Sequence, residues 1–364
     1  MGPFQNTLKA TSRLHLDCEI RRAVILRECS NYFYPYSQNL MAKTIDWEKR
    51  IGRHLRLRDL HVFFAVMRSC SMAKAAAELK VTQPSVSKSI GDLEAALGVQ
   101  LFDRSTRGVE PTMYGDALAK CGSVVFDELR QGIRHIEFLA DPTKGELTIG
   151  CPDVVGAVVI PRVLESFSKK YPCVVLHIDN VLSPAVEDNG LRDRKFDLVL
   201  GRSPMLPADR QVALDLNVEF LFDDPFVLVS GAQTRWARSR KIDLAELIDE
   251  SWIIQSPHTS SYKFLAEAFH ARGLSMPKAS IVTLSEPLRT NLLESGSFIT
   301  VLPRSWLALQ AKRYALKELP VELPTSSWPI AILTLKNRTL SPLVVRFIEC
   351  AREVAKSLVA PPTN

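Results

Sequence analysis

The sequence predicts a multidomain α/β chain: a helical front with a basic hairpin, one long helix, and a larger region of alternating strands and helices. Residues 57–97 place apolar side chains at helical spacing in three short stretches, and beyond Gly145 short apolar runs alternate with amphipathic ones. The length, 364 residues, suffices for two or three packed cores.

Residues 1–54 show no sustained period and no clear caps, although Asn31-Tyr32-Phe33-Tyr34-Pro35-Tyr36 is aromatic. They are expected to form a disordered or weakly ordered extension. A sharper alternative is that translation begins at Met41; a peptide from residues 1–40 in mass spectra of the native protein would exclude it.

Leu57, Leu60, Phe63, Phe64 and Met67 form the apolar face of a first helix, with Arg56, Arg58 and Asp59 opposite. Ser71 caps a second short helix, Met72 to Leu79, and Lys80-Val81 makes a tight turn. Thr82 is a suitable N-cap for a third helix that opens Gln83-Pro84, because proline lacks an N–H that the first turn leaves unpaired anyway. That helix runs to about Leu97, and Gly98 ends it as a left-handed residue. Residues 99–112 read as two extended pieces flanking a basic turn, a wing that completes a domain over 55–112.

A long helix follows within 113–141, from about Met113 to Leu139. Tyr114, Leu118, Cys121, Val125, Leu129, Ile136 and Leu139 give it a seam, and Asp141-Pro142 and Gly145 stop it. Strands are expected at Leu147–Cys151, Val174–Ile178 and Asp197–Gly201, with helices at 156–170 and near 184–193 between them. This βαβαβ order predicts a mostly parallel sheet. A second set comprises strands at Pro225–Ser230, Ser251–Ile254, Ala279–Thr283 and Phe298–Leu302, and helices at Ile242–Ile248, about Ser261–Arg272 and 286–295. A strand at Pro329–Leu335 and a last helix capped by Ser341, to about Leu358, close the chain.

Composition excludes several classes. With 46% hydrophobic and 24% charged residues and a net charge of +6, the chain is neither a disordered polyelectrolyte nor membrane-like. No apolar run approaches the roughly 18 residues that span a bilayer. Lys9, Arg13, Asp17, Glu19, Arg21 and Arg22 interrupt any secretory core, so a cytoplasmic location without membrane partners is expected. Cys18, Cys29, Cys70, Cys121, Cys151, Cys173 and Cys350 form no C-x-x-C pair, which favours reduced structural thiols over a metal or redox site. Seven histidines show no metal spacing, and neither a nucleophile elbow nor a phosphate loop is present. No catalytic residue, metal or cofactor is therefore expected, and the chain is not read as an enzyme.

Three short helices and a basic wing resemble a winged helix-turn-helix, with the helix-turn-helix at about Met72 to Gly91. Such a fold lays its third helix in the major groove of DNA, about 12 Å wide, with N-terminal side chains toward base edges. Thr82, Gln83, Pro84, Ser85, Ser87 and Lys88 supply the compact polar groups this needs. Gln83 suits adenine, and Lys88 suits guanine or a phosphate. Val81, Val86, Ile90 and Leu93 are expected inside, against Leu79 and Phe63. Arg104 and Arg107 on the wing suit phosphate or the minor groove, and Lys74 and Ser71 lie where a phosphate would pass. The competing reading is a generic helical bundle with a polar surface.

The ordered string Ser71-Met72-Ala73-Lys74-Ala75-Ala76-Ala77-Glu78-Leu79, Val81-Thr82-Gln83-Pro84-Ser85-Val86-Ser87-Lys88-Ser89-Ile90, Leu93-Glu94, Leu97-Gly98 and Leu101-Phe102-Asp103-Arg104 closely resembles the signature of LysR-type transcriptional regulators. The resemblance covers about 55–358 and is strongest over 57–115. One departure stands out: Cys70 occupies a position where the family usually has glycine, which puts the local turn geometry in doubt.

The resemblance implies a DNA-binding regulator of promoter activity, with double-stranded operator DNA and RNA polymerase as partners. It implies that the seam from Tyr114 to Leu139 pairs two subunits, as homodimer or homotetramer, although the stripe could pack on its own domain. Residues 145–358 would form an effector domain like the periplasmic binding proteins, with one lobe of 145–225 and 325–358 and another of 226–324. A small-molecule inducer would sit between the lobes, at strand carboxyl ends and helix N-termini. Asp153, Ser183, Arg202, Thr259, Ser260 and Ser261 are then the candidate effector residues, with Arg202 as the clamp for an anion. Asp153 either caps the following helix or selects hydroxylated ligands. Residues 126–142 also resemble the branch that contains the regulator of a galactose-binding protein, which implies sugar- or aromatic-acid-related control.

Overall fold

In a computed structural model of the chain, the described residues are 55–105, 108–181, 188–202, 215–323 and 329–359. The extension expected over 1–54, and with it the Met41 question, lies outside them. They divide into two compact units: Met72–Gly98 with the residues up to Ala65, and Val66–Ser71 with the residues from Val99 onward.

The first unit holds most of α1 (Leu57–Ser69), all of α2 (Met72–Leu79) and all of α3 (Gln83–Leu97). Val86, Ile90 and Leu93 recur at intervals of four and three, share one face of α3 and are fully buried. Each such side chain contributes about 1.5–3 kcal/mol by leaving water. Gly98 ends the helix at φ 75°, its N–H donating to the Glu94 carbonyl at 2.8 Å. That left-handed geometry suits glycine, which has no Cβ to clash. Val81 departs from expectation: the turn at Lys80, φ 55°, points it outward, and it is 39% exposed.

In the second unit, β1 (Phe102–Ser105) and β2 (Gly108–Pro111) pair antiparallel, with Phe102 opposite Pro111 and Ser105 opposite Gly108, as the wing requires. Thr112 then caps α4 (Met113–Ala140): its hydroxyl accepts from the Gly115 N–H and donates to the Gln100 carbonyl at 2.7 Å. Gly115 is required here, because a Cβ would lie 2.4 Å from the Leu101 carbonyl oxygen.

Beyond α4 come β3 (Lys144–Cys151), α5 (Asp153–Lys170), β4 (Cys173–Asn180), α6 (Asp188–Arg192), β5 (Leu198–Arg202) and β6 (Leu216–Phe222). They are followed by β7 (Phe226–Gly231), β8 (Trp252–Ile254), α7 (Ser260–Ala271), β9 (Ala279–Val282), α8 (Glu286–Glu294), β10 (Ile299–Pro303), α9 (Arg304–Gln310) and β11 (Leu316–Glu318). β12 (Ile330–Leu335) and α10 (Pro342–Val359) finish the chain. The segment read as a short helix at Ile242–Ile248 is a 3₁₀ turn, Leu244–Leu247, closed by a capping box from Asp243 and Glu246.

Two five-stranded sheets result, ordered β4-β3-β5-β12-β6 and β11-β7-β10-β8-β9. In each, four of the five strands share a direction, in line with the mostly parallel arrangement expected from the sequence, and one strand runs against them. β4, β3, β5 and β6 share a direction, and β12, placed between β5 and β6, runs antiparallel to both. In the second sheet β11, β10, β8 and β9 share a direction, and β7, placed between β11 and β10, runs antiparallel to both. The returning strand β12 lies between β5 and β6, so the first sheet is incomplete until the chain has built the second. A core of Leu147, Ile149, Val163, Phe167, Ile332 and Phe347 lies between the first sheet and helices α5 and α10. Trp252, Phe264 and Phe269 lead the core under α7.

Candidate functional site

The N-terminal face of α3 is built by opposition. The stripe of Val86, Ile90 and Leu93 turns inward, so Thr82, Gln83, Pro84, Ser85 and Lys88 turn outward and are exposed, with Ser87 half-buried. Thr82 holds the N-cap backbone conformation, but its hydroxyl pairs with that of Ser85 at 2.9 Å instead of a backbone N–H. Pro84 carries no N–H, and the Ser85 and Val86 N–H groups donate to the Thr82 carbonyl at 3.0 and 3.2 Å, so the first turn is closed by its own backbone. Lys74 is exposed on α2. In the second unit, Arg104 is exposed on β1, and Ser71 offers its carbonyl to the Ser69 hydroxyl at 2.9 Å. Arg107 lies outside the described residues.

Cys70 adopts φ 50°, the left-handed region where a Cβ is unfavourable. Its carbonyl accepts from the Val109 N–H at 3.2 Å, and a Cβ on Gly108 would come within 3.3 Å of the same oxygen. The turn geometry that suits glycine is thus kept although cysteine stands there, and it seats the wing strand.

A cavity opens in the second unit between the two sheets, enclosing about 650 Å³ of unfilled space including its mouth. It gathers Asp153, Arg202, Thr259, Ser260 and Ser261, five of the six residues the sequence offered, drawn from strand carboxyl ends and helix N-termini. Ser183 lies outside the described residues. Asp153 does not cap α5, whose N-cap is Pro152; its Oδ2 accepts from the Asn180 amide at 2.9 Å on the exposed rim. Thr259 caps α7, its hydroxyl accepting from the Tyr262 N–H at 3.3 Å, and the Ser261 hydroxyl donates to Gln255.

Arg202 corrects the sequence reading. It reaches the cavity wall, but its guanidinium is already engaged: Nη1 and Nη2 donate to the Asp224 carbonyl and carboxylate, and the group stacks 4.4 Å from the Phe226 ring centre. Asp224 also accepts from the Ser305 N–H at 2.9 Å and its hydroxyl at 2.6 Å. These contacts link the end of β5, the strand-to-strand crossing and the start of α9. Burial lowers the pKa of Arg202, while the charge and hydrogen bond of Asp224 oppose that fall.

A cavity-wall cation with no hydrogen-bonded carboxylate among the described residues is Arg289 on α8, which sequence reasoning missed. It lines the cavity at 2% exposure, and its Nε has no hydrogen-bond partner among the described residues. Burial lowers its pKa to about 10, against the opposing charge of Glu286, so it remains a cation at neutral pH. An arginine on a helix reads in sequence as a solvent-facing residue; only packing places it here. The Cys151 thiol at the end of β3 is also buried, and burial raises its pKa, which disfavours a reactive thiolate.

A second cluster missed from sequence joins α4 to the first sheet. Asp127 on α4 accepts from Arg338 Nε and Nη2 at 2.8 and 2.9 Å and from Arg194 at 2.5 Å. Asp197 accepts from Arg134 of α4 at 2.8 Å, from Arg338 at 3.1 Å and from the Thr148 N–H at 3.0 Å. The polar face of α4 is therefore the buried one, while Tyr114, Val125, Leu129, Ile133, Ile136 and Leu139 are each 43–71% exposed.

Comparison with known proteins matches this arrangement. Residues 57–116 match the family described as bacterial regulatory helix-turn-helix protein, lysR family, and residues 140–356 match the LysR substrate binding domain. The HTH-type transcriptional regulator GbpR of Azospirillum brasilense is 28% identical over 79% of this chain and 83% of its own. The HTH-type transcriptional regulator TdcA of Escherichia coli is 27% identical over 82% of this chain and 93% of its own. Among solved structures, a full-length OxyR variant from Pseudomonas aeruginosa has the same fold, with a TM-score of 0.57 at 21% identity over 83% of this chain and 95% of that one. With both domains matched in order, the chain belongs to the LysR family of DNA-binding transcriptional regulators, with a helix-turn-helix domain followed by an effector-binding domain.

Proposed function

We propose that this protein reads a double-stranded operator through the N-terminal face of α3 and the wing, and adjusts promoter activity together with RNA polymerase when a small molecule occupies the cavity between the two sheets. The observation that carries the reading is the division of α3: Thr82, Gln83, Pro84, Ser85 and Lys88 exposed, Val86, Ile90 and Leu93 buried. Gln83 hydrogen-bonds an adenine edge, and Lys88, Lys74, Arg104 and Arg107 meet phosphates or the grooves.

The exposed apolar face of α4 makes the active species a homodimer, or a homotetramer built from two dimers. A dimer presents two recognition helices about 34–36 Å apart, one turn of DNA. No helix among the described residues is long and apolar enough to cross a membrane. We place the protein in the cytoplasm, acting as a regulator and not as a catalyst.

Genomic footprinting identifies the operator. On that DNA, Gln83→Ala is expected to cost about 1–3 kcal/mol of specific binding, with binding to random DNA almost unchanged. Fluorescence anisotropy on both duplexes measures this, and an equal loss on both would remove Gln83 from base reading.

A further inference from the structure

We propose that the cavity takes a small organic acid that also carries a hydrogen-bond donor, an amino or hydroxy acid, with its carboxylate on Arg289 and the first amides of α7. The inference rests on the reading that this cavity is the effector site, and it names the chemistry of the ligand.

Arg289 is the first support. Its side chain is 2% exposed, lines the cavity, and leaves Nε without a hydrogen-bond partner among the described residues. Glu286, one turn earlier, supplies opposite charge but no hydrogen bond to it; that carboxylate accepts from the Thr290 hydroxyl at 2.9 Å. A buried guanidinium is retained against its desolvation cost only if something completes it, and a planar carboxylate matches its fork.

The N-terminus of α7 is the second. Thr259 satisfies the Tyr262 N–H, which leaves the amides of Ser260 and Ser261 with no carbonyl inside the helix, at its positive end. Ser260, Ser261 and Arg289 line the same cavity.

The remaining charges decide the rest of the ligand. Asp224 neutralises Arg202, so Arg289 is the wall's uncommitted cation among the described residues. Asp153 on the rim and the half-buried Glu286 are acceptors that repel a second anionic group and welcome a hydroxyl or ammonium. A neutral sugar would leave the guanidinium without a hydrogen-bonded anion, and a dicarboxylate would face the acidic rim.

Thermal unfolding of the full chain tests this. Glycine, serine, glycolate, glycerate and longer amino and hydroxy acids of up to about six carbons are each compared with the matching primary amide. At least one acid is expected to raise the Tm of the wild type by several degrees while its amide does not, since a ligand stabilises the state it binds. Arg289→Met is expected to lose that shift while still binding operator DNA; should it not fold, Arg289→Lys, which keeps the charge but not the fork, is expected to weaken binding at least tenfold.

No shift from any acid, equal shifts from the amides, or a shift retained in Arg289→Met would overturn the inference. Ser260→Trp, which fills the cavity, separates the two levels. If neutral sugars alone stabilise the protein and Ser260→Trp abolishes that effect, the ligand class is wrong and the cavity stands as the effector site. If Ser260→Trp leaves every ligand shift intact, the effector-site reading falls, and the inference with it.

Discussion

Arg338 clasps Asp127 through two parallel hydrogen bonds, Nε to Oδ2 at 2.8 Å and Nη2 to Oδ1 at 2.9 Å, with both side chains buried. The pair ties the long helix α4 to the segment just before α10. Removing Arg338 strips Asp127 of two of its charged hydrogen bonds and leaves it to Arg194, which costs about 3 kcal/mol, the lower end for a broken buried ion pair. Arg338→Ala is therefore expected to lower the stability of the second unit by roughly that amount, read by urea denaturation. A loss well under 1 kcal/mol would show that water replaces the guanidinium without penalty.

The same carboxylate makes a prediction about pH. Burial raises the pKa of Asp127, but the hydrogen bonds and charges of Arg338 and Arg194 more than reverse this and hold it below the ordinary value. A depressed folded pKa gives stability that is complete above the unfolded value, about 3.9, and is lost as pH falls through the folded one. Stability should thus fall as pH drops below about 4, and Asp127→Asn should flatten that part of the profile. An unchanged acid limb in Asp127→Asn would place the sensitivity elsewhere.

Arg202→Ala should behave as a structural lesion more than a loss of ligand contact. Its guanidinium serves Asp224, which in turn holds Ser305 at the start of α9. The expected cost is about 3–5 kcal/mol, with a lowered denaturation midpoint in ligand-free protein. A fully stable Arg202→Ala that has lost its inducer response would instead restore Arg202 as the anion clamp.

Cys70→Gly should stabilise the protein by about 1 kcal/mol, because a left-handed backbone costs an L-residue roughly 1–2 kcal/mol while glycine's greater freedom when unfolded returns part of that. Cys70 sits at φ 50° and its carbonyl holds Val109 of the wing. A thermal shift upward, with operator affinity kept, is the expected result; a destabilised variant would mean that the cysteine side chain contributes packing worth more than the strain.

On α4, Leu129 is 43% and Ile136 69% exposed. Leu129→Asp with Ile136→Asp should leave the fold of the subunit intact and break its self-association. Light scattering at micromolar concentration should then give the mass of one chain. An unchanged oligomer would move the interface away from this face.

Much of the scaffold was legible. The periods of three and four over 57–97 marked the three front helices, and Gly98 marked the end of α3 by its lack of a Cβ. The cavity residues Asp153, Thr259, Ser260 and Ser261 were found because strand ends and helix starts are recognisable locally. β6, α9 and β11 escaped because short elements have little periodicity of their own. β11 carries one buried apolar residue, Leu316, and is a strand because it pairs with β7.

The DNA-reading helix follows from local sequence, since burial of Val86, Ile90 and Leu93 at helical intervals leaves Gln83 and Lys88 outward whatever else the chain does. Which arginine is spoken for follows only from packing in three dimensions. Arg202 and Arg289 look equivalent in sequence, but Asp224 is packed beside one, and no carboxylate among the described residues hydrogen-bonds the Nε of the other. A charge's availability depends on partners brought together across distant parts of the chain, and no local pattern of residues encodes that distance.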